Sequence, residues 1–90
     1  MPLFVVESEL PGITPEALQS AGVRAKSCCA EMTAEGTDVK WIRSFFLPEV
    51  SRTHYYFKGL DASAVEEANQ RARIPFVRIS QALEMTPEGL

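Results

Sequence analysis

The sequence predicts an α+β domain, and three observations support that prediction. Segments rich in β-branched and aromatic residues alternate with two helical patterns, turn residues separate them, and 90 residues suffice for one core. The resulting element order is β-α-β-β-α-β. Right-handed connections then favour a ferredoxin-like sandwich, in which a four-stranded antiparallel sheet of order 4-1-3-2 carries both helices on one face. A different α+β arrangement of the same elements is the alternative.

The first half of the chain predicts one strand and the longer helix. The strand is LFVVESEL (3–10), whose composition is typical of sheets. Thr14 can cap the free N–H groups of the helix that follows, and Pro15 suits its first position. We expect this helix to end near Glu35, because Gly36 fits the left-handed conformation that often follows a helix.

The second half of the chain predicts three further strands and a shorter helix. VKWIRSFFLP (39–48) and THYYFKG (53–59) have the pattern of consecutive strands joined by a hairpin loop. A helix is expected over residues 62–73, because its first turn can be capped by Asp61, or by Ser63 with Glu66 three residues on. FVRISQALEM (76–85) then predicts the fourth strand, which closes the sheet.

Residues 1–86 form one predicted domain, followed by a C-terminal tail at 87–90. The net charge of −3 and the pI near 5.1 argue against a nucleic-acid-binding surface. No apolar run approaches the roughly 20 residues that span a bilayer, and the first residues lack a signal-peptide pattern. Cys28 and Cys29, the only cysteines, cannot form a disulfide framework. We therefore expect a cytoplasmic protein that binds neither nucleic acid nor membrane.

The alternation of side chains along the strands divides the sheet into two faces. One set of positions is mostly apolar and is expected beneath the helices: Phe4, Val6, Leu10, Ile42, Phe46, Tyr55, Phe57, Val77, Ile79 and Leu83. The opposite set lies on what we call the uncovered face, and it includes four large aromatic residues: Trp41, Phe45, Tyr56 and Phe76. An apolar patch of this kind usually marks an interface. We expect the same face of a second copy to cover it, which makes the protein a homodimer.

The uncovered face also carries the first candidate site. The first and third strands are central in the predicted order, so Glu7 is expected beside His54 or Tyr56, with Arg43 and Arg78 on the flanking strands. These side chains could bind a polar ligand, with Glu7 or His54 as acid or base and the arginines holding an anion. The same residues could instead form inter-subunit salt bridges that fix the register of a dimer. Both interpretations stay open at this point.

His54 is the single histidine of the chain and is therefore the one imidazole that could bind a metal ion. No His, Cys or Asp spacing of a structural zinc site accompanies it, and the phosphate-binding and nucleophile motifs are absent. A lone histidine on a strand is more commonly a hydrogen-bonded surface or interface residue. The sequence motifs by themselves therefore indicate no cofactor.

Cys28 and Cys29 fall on the apolar stripe of the first helix. The stripe consists of small and apolar residues: Leu18, Ala21, Gly22, Ala25, Cys28, Cys29 and Met32. Because adjacent helical side chains diverge by about 100°, both sulfurs cannot readily bind one ion. We interpret both cysteines as core residues. The alternative is a pocket between this helix and the sheet, in which one cysteine, Cys29, would lie with Ser8, Ser44, Tyr55 or Asn69.

Five stretches spread over nearly the whole chain carry a family resemblance: MPLFVVE (1–7), LPGITPEAL (10–18), MTAEG (32–36), WIRSFFLPE (41–49) and ANQRARIPFVRIS (68–80). They resemble a small family of uncharacterised ferredoxin-like domains that includes a nickel-binding protein. The resemblance implies a ferredoxin-like fold, dimerisation across the sheet and binding of a divalent metal ion, with Ni²⁺ as the cofactor. The donors would then be Glu7 and His54, an oxygen ligand and a nitrogen ligand.

The same architecture is similar to the wider group of dimeric α/β-barrel proteins, which contains cofactor-free monooxygenases, cyclases and isomerases. Those enzymes place the substrate between the helices and the sheet, which would shift the site to Ser8, Cys29, Tyr55 and Asn69. Two functions that need a binding site therefore remain, beside a third possibility, an interaction module with no pocket. The first is a small homodimeric protein that binds a ligand, with nickel as one candidate. The second is a small cofactor-free enzyme that acts on a biosynthetic intermediate.

Overall fold

Four antiparallel strands and two helices make up the fold, which the computed structural model describes over residues 1–90. The elements are β1 (Leu3–Glu9), α1 (Pro15–Ala34), β2 (Val39–Leu47), β3 (Arg52–Gly59), α2 (Ala62–Arg71) and β4 (Arg78–Ala82). The sheet order is β2-β3-β1-β4, which is the predicted 4-1-3-2 order counted from the other edge. Every neighbouring pair is antiparallel. The predicted ferredoxin-like arrangement is confirmed, and one 3-10 turn, Pro87–Gly89, follows in the tail.

The helix ends follow the capping residues that the sequence offers. Thr14 Oγ1 accepts a hydrogen bond of 3.1 Å from the Ala17 N–H at the start of α1. Asp61 Oδ1 accepts one of 2.9 Å from the Ala64 N–H at the start of α2. The second helix ends at Arg71, two residues before its predicted end, because Arg73 takes a left-handed φ of 56°. Neither helix combines the length and hydropathy that crossing a bilayer requires.

A β-bulge in β2 changes which side chains lie beneath the helices. Trp41 is paired with Phe57 and Arg43 with Tyr56, so Ile42 is an extra residue on the bulged strand. The predicted positions of Trp41 on the uncovered face and of Ile42 beneath the helices are therefore wrong. The Trp41 ring packs beneath α1, where a Cβ added to Gly22 would lie 3.1 Å from the indole.

The fourth strand also begins later than predicted, at Arg78 rather than residue 76. Phe76 consequently lies outside the strand alternation and packs against the core instead of on the uncovered face. Val77 and Leu83, expected beneath the helices, are exposed by 57% and 86% because they lie just outside the short strand. The alternation rule fails here because it assumes a strand longer than the five residues of β4.

The core lies between the helices and one face of the sheet. Thirteen buried residues form it: Phe4, Val6, Ala21, Ala25, Cys29, Met32, Val39, Tyr55, Phe57, Val65, Ala68, Ala72 and Ile74. Most of the helical members are small, so the helices lie close to the sheet where these residues face it. Cys29 is buried and Cys28 half-buried, and both are free thiols, as the core interpretation requires.

Candidate functional site

Three of the predicted site residues meet at the centre of the uncovered face. Glu7 on β1 is paired with His54 on β3 and with Arg78 on β4. Arg78 Nε forms a salt bridge of 2.9 Å with Glu7 Oε2, while His54 Nε2 lies 3.8 Å from Glu7 Oε1. The arginine therefore orients the carboxylate through one oxygen and leaves the other facing the imidazole.

The burial of these groups differs in a way that bears on binding. The Glu7 side chain is only 19% exposed and that of His54 30%, whereas that of Arg78 is 67% exposed. A partly buried carboxylate is less screened by water than a surface one, so it attracts a cation more strongly. The separation of 3.8 Å between Glu7 Oε1 and His54 Nε2 is too long for a hydrogen bond. Both atoms are thus available to a further partner.

The other two predicted residues lie one row along the sheet. Tyr56 is paired with Val5 on one side and Arg43 on the other, and its ring packs edge-to-face against Phe45 at a centroid distance of 6.1 Å. Arg43 forms no ion pair and is separated from the Glu7 strand by β3. The structure therefore does not bring the two predicted arginines together around one anion.

Sequence reasoning missed a second ion pair on the same face. Arg52 donates a hydrogen bond of 2.8 Å to Glu9 Oε1, two residues along both strands from the Glu7–His54 pair. It could have been found from the spacing of the residues. Glu9 lies two residues after Glu7, and Arg52 lies two residues before His54 on the antiparallel strand. Apolar side chains flank these polar groups, and Phe45 remains 56% exposed.

The uncovered face ends in a broad groove of about 770 Å³. Its lining is mainly apolar and comes from the chain start, β2, β3 and the segment after β4: Met1, Pro2, Leu3, Ile42, Arg43, Phe45, Tyr56, Lys58, Gln81, Ala82, Leu83, Glu84 and Met85. Several of these residues are largely exposed. The face therefore joins a central polar cluster to an open apolar surface.

The alternative site residues beneath the helices do not gather around one cavity. The Ser8 hydroxyl donates a hydrogen bond to the Pro75 carbonyl, which ties β1 to the loop before β4. Asn69 Nδ2 donates one of 2.8 Å to the Val65 carbonyl within α2. Burial raises the pKa of the Cys29 thiol to about 11, so it is protonated at neutral pH. These three residues support the packing of the domain.

Tyr55, the fourth of these residues, lies where two clefts meet beneath the first half of α1. Its hydroxyl and that of Thr53 are buried without a hydrogen-bond partner, as is Asn69 Oδ1. An unpaired buried polar group costs about 1–3 kcal/mol. Thr53 was missed by sequence reasoning, although it shares the alternation of Tyr55. Burial raises the pKa of the Tyr55 hydroxyl, and the nearby Arg24 charge and the Thr53 hydroxyl act in the opposite direction.

One chain alone offers few donors for a metal ion. No group of three or more His, Cys, Asp or Glu side chains is placed to bind one. First-row ions hold nitrogen and oxygen ligands at about 2.0–2.2 Å, so one ion could contact both Glu7 Oε1 and His54 Nε2 across their 3.8 Å separation. The donor chemistry fits at this pair, but the 3.8 Å spacing is wider than the roughly 3.0–3.4 Å between two ligands of one octahedral or tetrahedral ion, and the number of donors is incomplete.

Comparisons with known proteins give a family and a fold. The profile of a family described as nickel responsive protein SCO4226-like matches residues 4–81. The crystal structure of SCO4226 from Streptomyces coelicolor A3(2) aligns with a TM-score of 0.76 and 18% sequence identity, over 93% of this chain and 99% of that chain. No curated protein matches the sequence. At that identity the structural likeness bears on the fold alone, whereas the family match covers most of the chain.

Proposed function

Because the chain belongs to the SCO4226-like family of nickel responsive proteins, we propose that it is a cytoplasmic homodimer that binds Ni²⁺ on the uncovered face of its sheet. The observation that carries this proposal is the partly buried pair of Glu7 and His54 at the centre of that face. Imidazole nitrogen and carboxylate oxygen suit a divalent first-row ion. Two free cysteines agree with a reducing compartment.

The proposed dimer rests on the apolar character of the uncovered face. Phe45 is paired with His54 and stays largely exposed, and Leu47 on the same face is also exposed. Leaving such side chains in water is unfavourable, and a second copy of the same face is a self-complementary cover. A two-fold axis through the centre of the face would then set a second Glu7 and His54 near the first.

That doubling supports nickel binding in the dimer. One protomer contributes one carboxylate and one imidazole, and two protomers would contribute two of each. Arg78 holds the Glu7 carboxylate through Oε2, which is the kind of supporting contact that orients a metal ligand. When bound, the ion would supply a positive charge that links the two copies.

Titration calorimetry with NiCl₂ tests the metal site. The parent protein should bind one ion per two chains, and His54→Ala and Glu7→Gln should each abolish the binding. Glu9→Gln is the matched control, because it alters the neighbouring carboxylate on the same face, and it should bind as the parent does. Absence of binding by the parent, or binding retained by the His54→Ala, Glu7→Gln double variant, would refute the proposed site.

Light scattering tests the dimer separately. A mass twice that of the 10.0 kDa chain is expected, and Phe45→Arg should give the monomer mass. A monomer at micromolar concentration, with and without nickel, would refute dimerisation whatever the calorimetry shows.

The enzymatic alternative has weaker support from the geometry. Neither a carboxylate nor an imidazole lines the two clefts that meet at Tyr55, where acid or base catalysis would need one. Burial raises the pKa of Tyr55 and of Cys29, so neither side chain is a ready base or nucleophile at neutral pH. Binding, rather than catalysis, is the activity that these residues support.

A further inference from the structure

A cleft on the covered side of the sheet has the size of a small-molecule site. It holds about 480 Å³ between α1 and strands β2 and β3, within the range of ligand pockets. Leu18 and Gly22 of α1 form one wall, and Trp41 and Phe46 of β2 form the other. The cleft opens to solvent past Val23, which is 64% exposed.

The floor of this cleft carries unused hydrogen-bonding groups. Thr53 and Tyr55 both line it and are no more than 1% exposed, and their hydroxyls, which lie near each other, form no hydrogen bond of normal geometry. Buried polar groups in proteins are nearly always hydrogen-bonded, so two neighbouring exceptions call for an explanation. A polar ligand atom at the floor would satisfy them. Ser44 also lines the cleft, but its hydroxyl already accepts from Trp41 Nε1 at 2.8 Å.

The walls favour a flat ring as the occupant. The hydrogen bond to Ser44 fixes the Trp41 indole, and Gly22 permits it to lie against α1. Phe46 adds a second aromatic surface, against which a planar ring can stack. Lys26 is the one charged residue of the lining, so a cationic ligand is disfavoured.

From the cleft, its aromatic walls and its unpaired hydroxyls, we propose that this protein binds a small aromatic compound that carries a hydroxyl or carbonyl group at its buried end. The site is separate from the proposed nickel site, because Thr53 and Tyr55 face the helices while His54 and Tyr56 face the other way along the same strand. Ligand binding here therefore does not depend on nickel or on dimerisation.

Naphthol and naphthalene are the probes that test the site. Trp41 is the only tryptophan, so its indole N–H gives one signal in N–H correlation NMR spectra of the labelled full chain. Naphthol should shift this signal and the backbone signals of Gly22 and Ser44, and it should leave those of Glu7 and Arg78 unchanged. Naphthalene should bind at the same place about tenfold more weakly, because it cannot pair with the two hydroxyls. Shifts confined to the uncovered face, or no shifts, would overturn the proposal.

Two conservative tyrosine variants test whether the Tyr55 hydroxyl contacts the ligand or only supports the fold. Tyr55→Phe should weaken naphthol binding several-fold and leave naphthalene binding unchanged, whereas Tyr56→Phe, its neighbour on the other face, should change neither. Thr53→Val provides the same test if Tyr55→Phe does not fold. Equal affinity for both probes in the parent, or loss of naphthol binding in Tyr56→Phe alone, would refute the polar floor.

Discussion

Consecutive residues of β3 lie on opposite faces of the sheet and have opposite environments. Tyr55 is buried beneath α1 with an unpaired hydroxyl, whereas Tyr56 lies on the uncovered face with its ring against Phe45. The covered face is mostly apolar and buried beneath the helices but contains unpaired hydroxyls. The uncovered face has paired charges but leaves apolar rings in water. Each face therefore lacks something that a partner could supply: hydrogen bonds on one, apolar cover on the other.

Removing an aromatic ring from each face gives the largest expected contrast. Phe57 is fully buried, and Phe57→Ala should lower the free energy of unfolding by about 3–5 kcal/mol, since it removes the ring and leaves a cavity. Phe45→Ala should cost the isolated chain less than about 1 kcal/mol, because that ring is 56% exposed. Urea denaturation under monomeric conditions measures both, and equal losses would contradict the division into two faces.

Thiol labelling compares Cys29, on the buried face of α1, with Cys28, at the edge of that face. Raising the pKa of Cys29 from 9.0 to about 11 lowers its thiolate fraction at neutral pH about 100-fold, and burial blocks access as well. Cys28 is half-buried and should react first with a maleimide. In Cys28→Ser the remaining thiol should label only as fast as the protein unfolds, whereas in Cys29→Ser labelling should proceed in the native state. Rapid labelling of native Cys28→Ser would show that α1 does not seal this position.

Two hydroxyls on the covered face should respond with opposite signs. Ser8→Ala removes a hydroxyl that donates to the Pro75 carbonyl, and it should lower the free energy of unfolding by about 1 kcal/mol. Thr53→Val removes an unpaired hydroxyl at nearly constant shape, and it should raise that free energy by up to about 1 kcal/mol. Thermal and urea unfolding of the ligand-free chain provide the measurement. A loss of stability in Thr53→Val would mean that its hydroxyl is satisfied in solution.

Most of the fold, and the central part of the candidate site, could be predicted from the sequence because both depend on local rules. Glu7, His54 and Arg78 were expected together from the strand order and from side-chain alternation, and the structure brings them together. Trp41 was misplaced because a bulge shifts the alternation by one residue, and nothing within the strand itself marks where the bulge falls. Arg43 was expected in the cluster because side-chain alternation predicts the face of the sheet on which a residue lies. It does not predict which residue of the next strand lies opposite, and Arg43 is opposite Tyr56 rather than His54.

The sequence offered a pocket beneath α1 as an alternative but could not decide between a cleft and close packing. Its volume depends on the distance between the helix and the sheet, and a stripe of small residues is equally compatible with close packing and with a cavity. In the structure both occur along one helix. Ala25, Cys29 and Met32 are packed into the core, whereas the earlier turns at Leu18 and Gly22 border the cleft.

The smallest effect is expected on the outer surface of the helices, where charge pairs are in contact with water. Arg71 of α2 bonds Glu35 at 3.0 Å and Glu31 at 2.9 Å, both in the last turns of α1 and its cap. The hydrogen bond from Arg71 holds the pKa of Glu35 below its usual value. A carboxylate with a lowered folded-state pKa adds stability above its unfolded pKa, and that stability is lost as the pH falls through the folded-state value.

Arg71→Ala should therefore lower the melting temperature slightly at neutral pH and hardly at all in acid, where Glu35 is protonated in either protein. High salt should reduce the difference, because exposed pairs are screened. Melting curves across the acidic range at low and high salt give the measurement, with Arg73→Ala as the control for loss of a nearby exposed arginine that forms none of these pairs. An effect of Arg71→Ala that persists unchanged in acid would show that the arginine stabilises the helix pair by packing its alkyl chain rather than by charge.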